Sequence, residues 1–173
     1  MRAWRLFRVR SREGCLVLSS PMYHEPDHPP WPQVRSTATC YEDHGAPAAS
    51  CRCGIYAAVE GTLDSLPGYL FDTAYERDPW AYAEISCTGR VFVDMRGVRA
   101  QYAEIIRIAL PDDVLQDQEA WEAAAQSLGQ RYGVPITGIE LVPSWVRNNH
   151  REQGPPSDAI DLSLDLDKLD LWR

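Results

Sequence analysis

No stretch of this chain stays apolar long enough to cross a bilayer as a helix, so a spanning helix is not expected. The first residues, MRAWRLFRVR, alternate arginine with apolar side chains and contain no apolar run of the signal-peptide kind. Together these absences lead us to expect a cytoplasmic protein with no membrane partner. Common chemical signatures are missing as well. There is no G-x-G-x-x-G, no G-K-S/T and no G-x-S-x-G, so the usual nucleotide-binding and hydrolase motifs are not represented. Lysine is almost absent: Lys168 stands alone against sixteen arginines, a bias of GC-rich coding sequence such as an actinobacterial one.

What is present fits a folded domain. The 173 residues are 45% hydrophobic and 24% charged, enough for one sizeable core. The net charge of −8 argues against broad non-specific binding to nucleic acid. The charge is unevenly spread, however. Arg2, Arg5, Arg8, Arg10 and Arg12 make the start basic, and Asp158, Asp161, Asp165, Asp167 and Asp170 make the end acidic. Either the two ends neutralise each other, or the first strand offers a basic face that leaves nucleic acid open as a partner.

Read along its length, the chain starts as short strands. Trp4, Leu6 and Val9 mark a first strand, Ser11 to Gly14 a turn, and Cys15 to Ser19 its hairpin partner. Residues 21–32, PMYHEPDHPPWP, hold five prolines and read as a loop. A strand is expected over Val34–Tyr41 and an apolar stretch over Gly54–Val59, while residues 61–79 are ambiguous. Trp80–Ser86, Arg90–Arg96 and Val98–Leu110 read as a three-stranded antiparallel meander, parted by Cys87-Thr88-Gly89 and by Gly97. Asp112 or Asp113 can cap a helix carrying Val114, Leu115, Trp121, Ala125, Leu128 and Tyr132 on one stripe, with Gly133 and Pro135 ending it. Ile136–Val142 reads as a strand returning to the sheet. The expected architecture is α+β: mostly antiparallel sheet or a small partly open barrel, one amphipathic helix and a metal-stapled loop. A single domain over residues 1–146 is followed by a polar linker, 147–158, and an acidic strand or tail, 159–173. That last segment either packs as an edge strand or adds a strand to a partner.

The sharpest chemical signal is CYEDHGAPAASCRCG, in which Cys40, His44, Cys51 and Cys53 have the spacing C-x3-H-x6-C-x-C. Three sulfurs and one imidazole are the donor set of a closed tetrahedral zinc site, which holds a fold together but offers no open position to a substrate. In extended chain Cys51 and Cys53 point the same way, Gly45 and Pro47 suit a turning loop, and Arg52 can offset the −1 charge of the loaded site. Two other readings stay open: reduced or partly disulfide-bonded cysteines without metal, and ligation of a [2Fe–2S] cluster. Cys15 and Cys87, in apolar runs, read as small buried core residues.

Trp31 with its adjacent proline, then Cys40, His44, Pro47 and CRCGIYAA, resembles a pattern in uncharacterised actinobacterial proteins. There, C…H…P…C-x-C-G-I-Y-A precedes a strand pair of the kind GRVFVDMRGVRAQYAEI. The resemblance covers roughly Trp4 to Leu110 and implies a β-rich fold with a metal site, and no activity.

Other candidates weigh less. His24, His28 and Trp31 sit in or beside the proline-rich loop and, with Arg52, are candidate partner or ligand contacts; an enzyme would place its pocket there. Trp31 and Trp172 are the tryptophans expected to be exposed anchors. Glu84 and Glu104 recur in two YAEI runs and read as the wet face of a sheet rather than an acid–base pair. The leading expectation is a non-enzymatic interaction or regulatory protein with a structural zinc ion and a protein partner.

Overall fold

The computed structural model describes residues 1–20, 29–60, 79–94, 97–111 and 118–146. Its first strand, β1 (Arg2–Arg12), turns through Glu13 and Gly14, both at positive φ, into β2 (Cys15–Ser19). Two left-handed residues in a row are what a tight hairpin turn requires, and the glycine adopts that conformation without a Cβ penalty. Beyond it lie β3 (Ser36–Thr37), β4 (Ile55–Ala57), β5 (Trp80–Asp94), β6 (Gly97–Leu110), helix α1 (Gln118–Tyr132) and β7 (Ile136–Gly138), which leads into a 3-10 turn at Ile139–Leu141.

The strands make one sheet in the order β2-β1-β5-β6-β3, and β4 and β7 also pair with β6. All pairings are antiparallel except β6 with β7, reached through α1. The far edge of β6 therefore carries three short strands in series: β4 against Val98–Ala100, β3 against Tyr102–Ala103 and β7 against Ile108–Leu110. The sheet curls until Ala58, just past β4, exchanges both backbone hydrogen bonds with Trp4 of β1, at 2.8 and 2.7 Å. The result is a half-barrel. The expected α+β class, with mostly antiparallel sheet, is what the chain forms.

β5 and β6 differ from the expected meander. Cys87-Thr88-Gly89 is no turn: β5 runs straight through it as one strand. Gly89 and Arg90 stand opposite Gln101 alone, a bulge in which Gly89 sits at φ 73° and Gln101 Oε1 accepts from the Arg90 amide at 3.2 Å. A second bulge, at Ile106 of β6, lies between the Glu84–Arg107 and Ile85–Ile105 pairs. Extra residues of this kind bend and twist the ladder, which suits a sheet that must curl. Two shorter expectations also shift. Only Ser36–Thr37 of the Val34–Tyr41 run is strand, and Ile136–Val142 gives three strand residues and then the 3-10 turn. The proposed cap at Asp112 or Asp113, residues 61–78, the linker and the acidic tail lie outside the described residues.

Both faces of β1 are covered, which explains why its apolar residues broke strict alternation. Ala3, Phe7 and Val9 face the main core with Leu18, Ile85, Val98, Ile108, Leu110 and the helix residues Ala124, Leu128 and Tyr132. Trp4 and Leu6 face the other way, under a second cluster with Tyr82, Ala109, Val142 and Val146. The arginines of β1 differ in their surroundings: Arg8 is buried, and Arg2 pairs with Glu84 at 3.5 Å. Arg5 reaches into the half-barrel, where it donates to Ser20 Oγ at 2.9 Å and to Tyr56 O and lies over the Phe7 and Trp31 rings.

Helix α1 guards the outer edge of β2. Leu16 N donates to Ser127 Oγ at 3.2 Å, and Leu18 N donates to the Tyr132 hydroxyl at 2.8 Å. That hydroxyl in turn donates to Trp31 O at 3.2 Å, while Trp31 N donates to Leu18 O at 2.7 Å. One phenol thus completes a ladder rung between β2 and Trp31. Burial pushes its pKa up, outweighing the Leu18 amide and Arg131, which act the other way. Gly133, at φ 65°, ends the helix as expected by donating back to Gly129 O at 2.9 Å.

Candidate metal centre

The cluster grows out of an interrupted edge. Ala38, following β3, donates to Gln101 O at 2.8 Å, and Ile55, opening β4, stands opposite Ala100. The chain leaves β6 and returns to the next position along it, and residues 39–54 form the excursion between. The strands fix both ends of that excursion. Its interior has no regular secondary structure and is organised by side chains.

Those side chains converge. Cys40 Sγ lies 3.7 Å from Cys51 Sγ and 3.4 Å from His44 Nε2, and Cys53 Sγ lies 4.0 Å from the His44 ring nitrogens. All four donor atoms fall within 4.8 Å of one another, and all four residues are half-buried. A disulfide needs about 2.05 Å between sulfurs. Two thiolates on one tetrahedral zinc, each at about 2.3 Å, lie roughly 3.8 Å apart. The Cys40–Cys51 separation matches the second case, and all five cysteines of the chain are free. The donor set and spacing fit a single metal ion.

The polar surroundings suit such an ion. His44 Nδ1 is 3.3 Å from Gly45 O, so a proton on Nδ1 would leave Nε2 to face the thiols; a backbone carbonyl behind the ring is the usual way a ligating histidine is oriented. The Cys51 thiol is brought down to about 7, by the Cys53 amide first and the His44 ring second. Cys40 moves the other way. The Glu42 amide draws it down, but burial and hydrogen bonding to Cys51 and Cys53 outweigh that and raise it. Hydrogen bonding to Cys51, then to the Gly45 carbonyl, raises His44. Among the described residues, the carboxylate paired with the ring is Glu42, 3.4 Å from Nε2 and largely exposed.

No family model matches this chain, and no curated protein or solved structure is significantly similar to it. The function must be argued from the site.

Two residues essential to the loop's placement were not foreseen. Arg99, from β6, donates to Cys51 O and, at 3.4 Å, to Cys53 O, while stacking on the Phe92 ring. It ties both ends of the C-x-C segment to the sheet and sets a positive charge beside the sulfurs. Gly54 sits at φ 132°, and a Cβ there would come within 3.1 Å of Arg99 Cβ and 3.2 Å of Pro47 Cβ. Glycine is required at this point for both reasons. Arg52, expected to offset the thiolates, is exposed; its carbonyl, accepting from the Tyr56 hydroxyl, is what it contributes.

Among the described residues, no other candidate joins the cluster. Trp31 is in the core, 8% exposed, edge-on to Phe7 at 4.9 Å, and so is no surface anchor. His24 and His28 lie outside the described residues. They belong to His24-Glu25-Pro26-Asp27-His28, which spells H-E-x-x-H in sequence. Glu84 is not on a wet face: it is buried and held by Arg107 Nε at 2.8 Å, while Glu104 is exposed and stands opposite Ser86. Cys87 is buried as expected, and burial raises its thiol pKa, but Cys15 at the hairpin end is exposed.

Proposed function

We propose that Cys40, His44, Cys51 and Cys53 hold one structural zinc ion, and that the protein is a non-enzymatic interaction or regulatory protein of the cytoplasm with a protein partner. The observation that carries this reading is the mutual spacing of the four donors, which completes a four-coordinate site and leaves no position for a substrate. A [2Fe–2S] cluster would divide the same ligands between two irons, and their compactness favours one ion. Free cysteines throughout are in keeping with a reducing compartment.

Binding of the ion would be coupled to the order of residues 39–54, because unpaired thiols hold the excursion far more weakly than a metal does. The test is metal analysis of anaerobically purified protein with its visible spectrum, beside a Cys53→Ala variant. One zinc per colourless chain is expected, with both the metal and resistance of the loop to proteolysis lost in the variant. A coloured protein with sulfide-bearing iron would replace zinc by the cluster. A variant as stable as its parent would remove the structural role.

A further inference from the structure

Two of the sulfurs that face the metal position also face each other. Cys40 Sγ stands 3.7 Å from Cys51 Sγ. A disulfide at about 2.05 Å asks for a further approach of about 1.7 Å. The two residues sit on separate arms of the excursion. Cys51 is anchored, since its amide donates to Ala48 O at 3.2 Å and its carbonyl accepts from Arg99. Cys40 lies two residues past Ala38, whose amide bonds to β6, so a short tether sets the reach of its sulfur. Cys53 is a poorer partner for Cys51, because one intervening residue closes a ring too tight for ordinary disulfide geometry. All four donors are half-buried, which admits a small oxidant, whereas Cys87 is sealed in the core.

We propose that Cys40 and Cys51 are a modification site for a hydroperoxide, forming a reversible disulfide whose closure releases the zinc ion. This rests on the zinc reading above. With hydrogen peroxide, one thiolate attacks a peroxide oxygen: an S–O bond forms, the O–O bond breaks and hydroxide leaves. The second thiolate then attacks the sulfenic sulfur: the S–S bond forms, the S–O bond breaks and another hydroxide leaves. The two sulfurs give up two electrons, the peroxide takes them, and two protons convert both hydroxides to water. Only His44 and Cys53 then remain as donors, and two ligands hold zinc far more weakly than four. The sheet is spared. Ala38 still bonds to Gln101 O and Ile55 still stands opposite Ala100, so the excursion changes state between fixed ends.

The test treats the zinc-loaded full chain with hydrogen peroxide, follows zinc release with a chromogenic chelator and maps the cysteines by peptide mass. One zinc should be released for each Cys40–Cys51 disulfide formed, with the far-ultraviolet circular dichroism preserved. Dithiothreitol and added zinc should reverse both changes. Cys40→His keeps four zinc donors but removes the partner sulfur, so its release should be about tenfold slower. Where that variant does not load zinc, the peptide map of the parent decides. A chain purified without zinc overturns the zinc reading and this inference with it. A loaded chain that keeps its zinc under peroxide, links other cysteines or proceeds to sulfinic acid overturns the inference alone. A Cys40→His variant that loads zinc and releases it as fast as the parent does the same.

Discussion

The half-barrel and the excursion at residues 39–54 are held by opposite means. Around β1, β5 and β6 the backbone lies in one continuous ladder and two apolar clusters pack against it, so many small contacts share the load. In the excursion the backbone is almost unpaired, and four polar side chains with one arginine fix its path. The first region resists local change because no single group dominates. The second is defined by few groups, so each is decisive. The two should therefore respond to different insults.

The largest effect should come from the core. Phe7 is fully buried, and Phe7→Ala should cost about 3–5 kcal/mol in urea unfolding while the metal content per folded chain stays unchanged. Loss of metal alongside stability would show that the two regions do not fail separately. Next, Arg99→Met keeps the packing of the stem against Phe92 but removes the donors to Cys51 O and Cys53 O. We expect metal affinity to drop about 10- to 100-fold, measured by chelator competition, with the unfolding of the sheet little altered. An unchanged affinity would mean that the ligands position themselves.

Tyr132→Phe should have the smallest effect, about 1–2 kcal/mol, because it strips partners from Leu18 N and Trp31 O without opening a cavity. It also carries a pH signature. The folded state raises the phenol pKa, so the stability tied to the neutral form is complete below about pH 10 and is lost as pH climbs past that value. Denaturant midpoints between about pH 9 and 11 should fall more steeply for the parent than for the variant. Parallel slopes would show that Tyr132 stays neutral equally well in the unfolded chain.

How much of this was legible in the sequence follows the same divide. The β1–β2 hairpin, the helix stop at Gly133 and the four donors announce themselves through local patterns, because the residues responsible lie close together in the chain. What escaped is long-range. Arg99 serves carbonyls 46 and 48 residues away, and no spacing rule connects them. Glu84 reads as a solvent-facing residue until Arg107 is placed opposite it by the β5–β6 register. Trp4 and Leu6 look out of phase with Phe7 only while one face of β1 is taken to be wet. Gly89 signals an irregularity, but turn and bulge use the same backbone freedom, and only the register distinguishes them.

The departure and return points of residues 39–54, opposite Gln101 and Ala100, make that segment a cassette. Its two ends meet at neighbouring places on β6, so its length is invisible to the rest of the fold. A short connection between Ala38 and Ile55 would leave the partners of β6 in place, and a longer or different loop could be grafted at the same port. The sheet and the metal loop can therefore diverge at separate rates, the one constrained by shape and the other by four donor atoms.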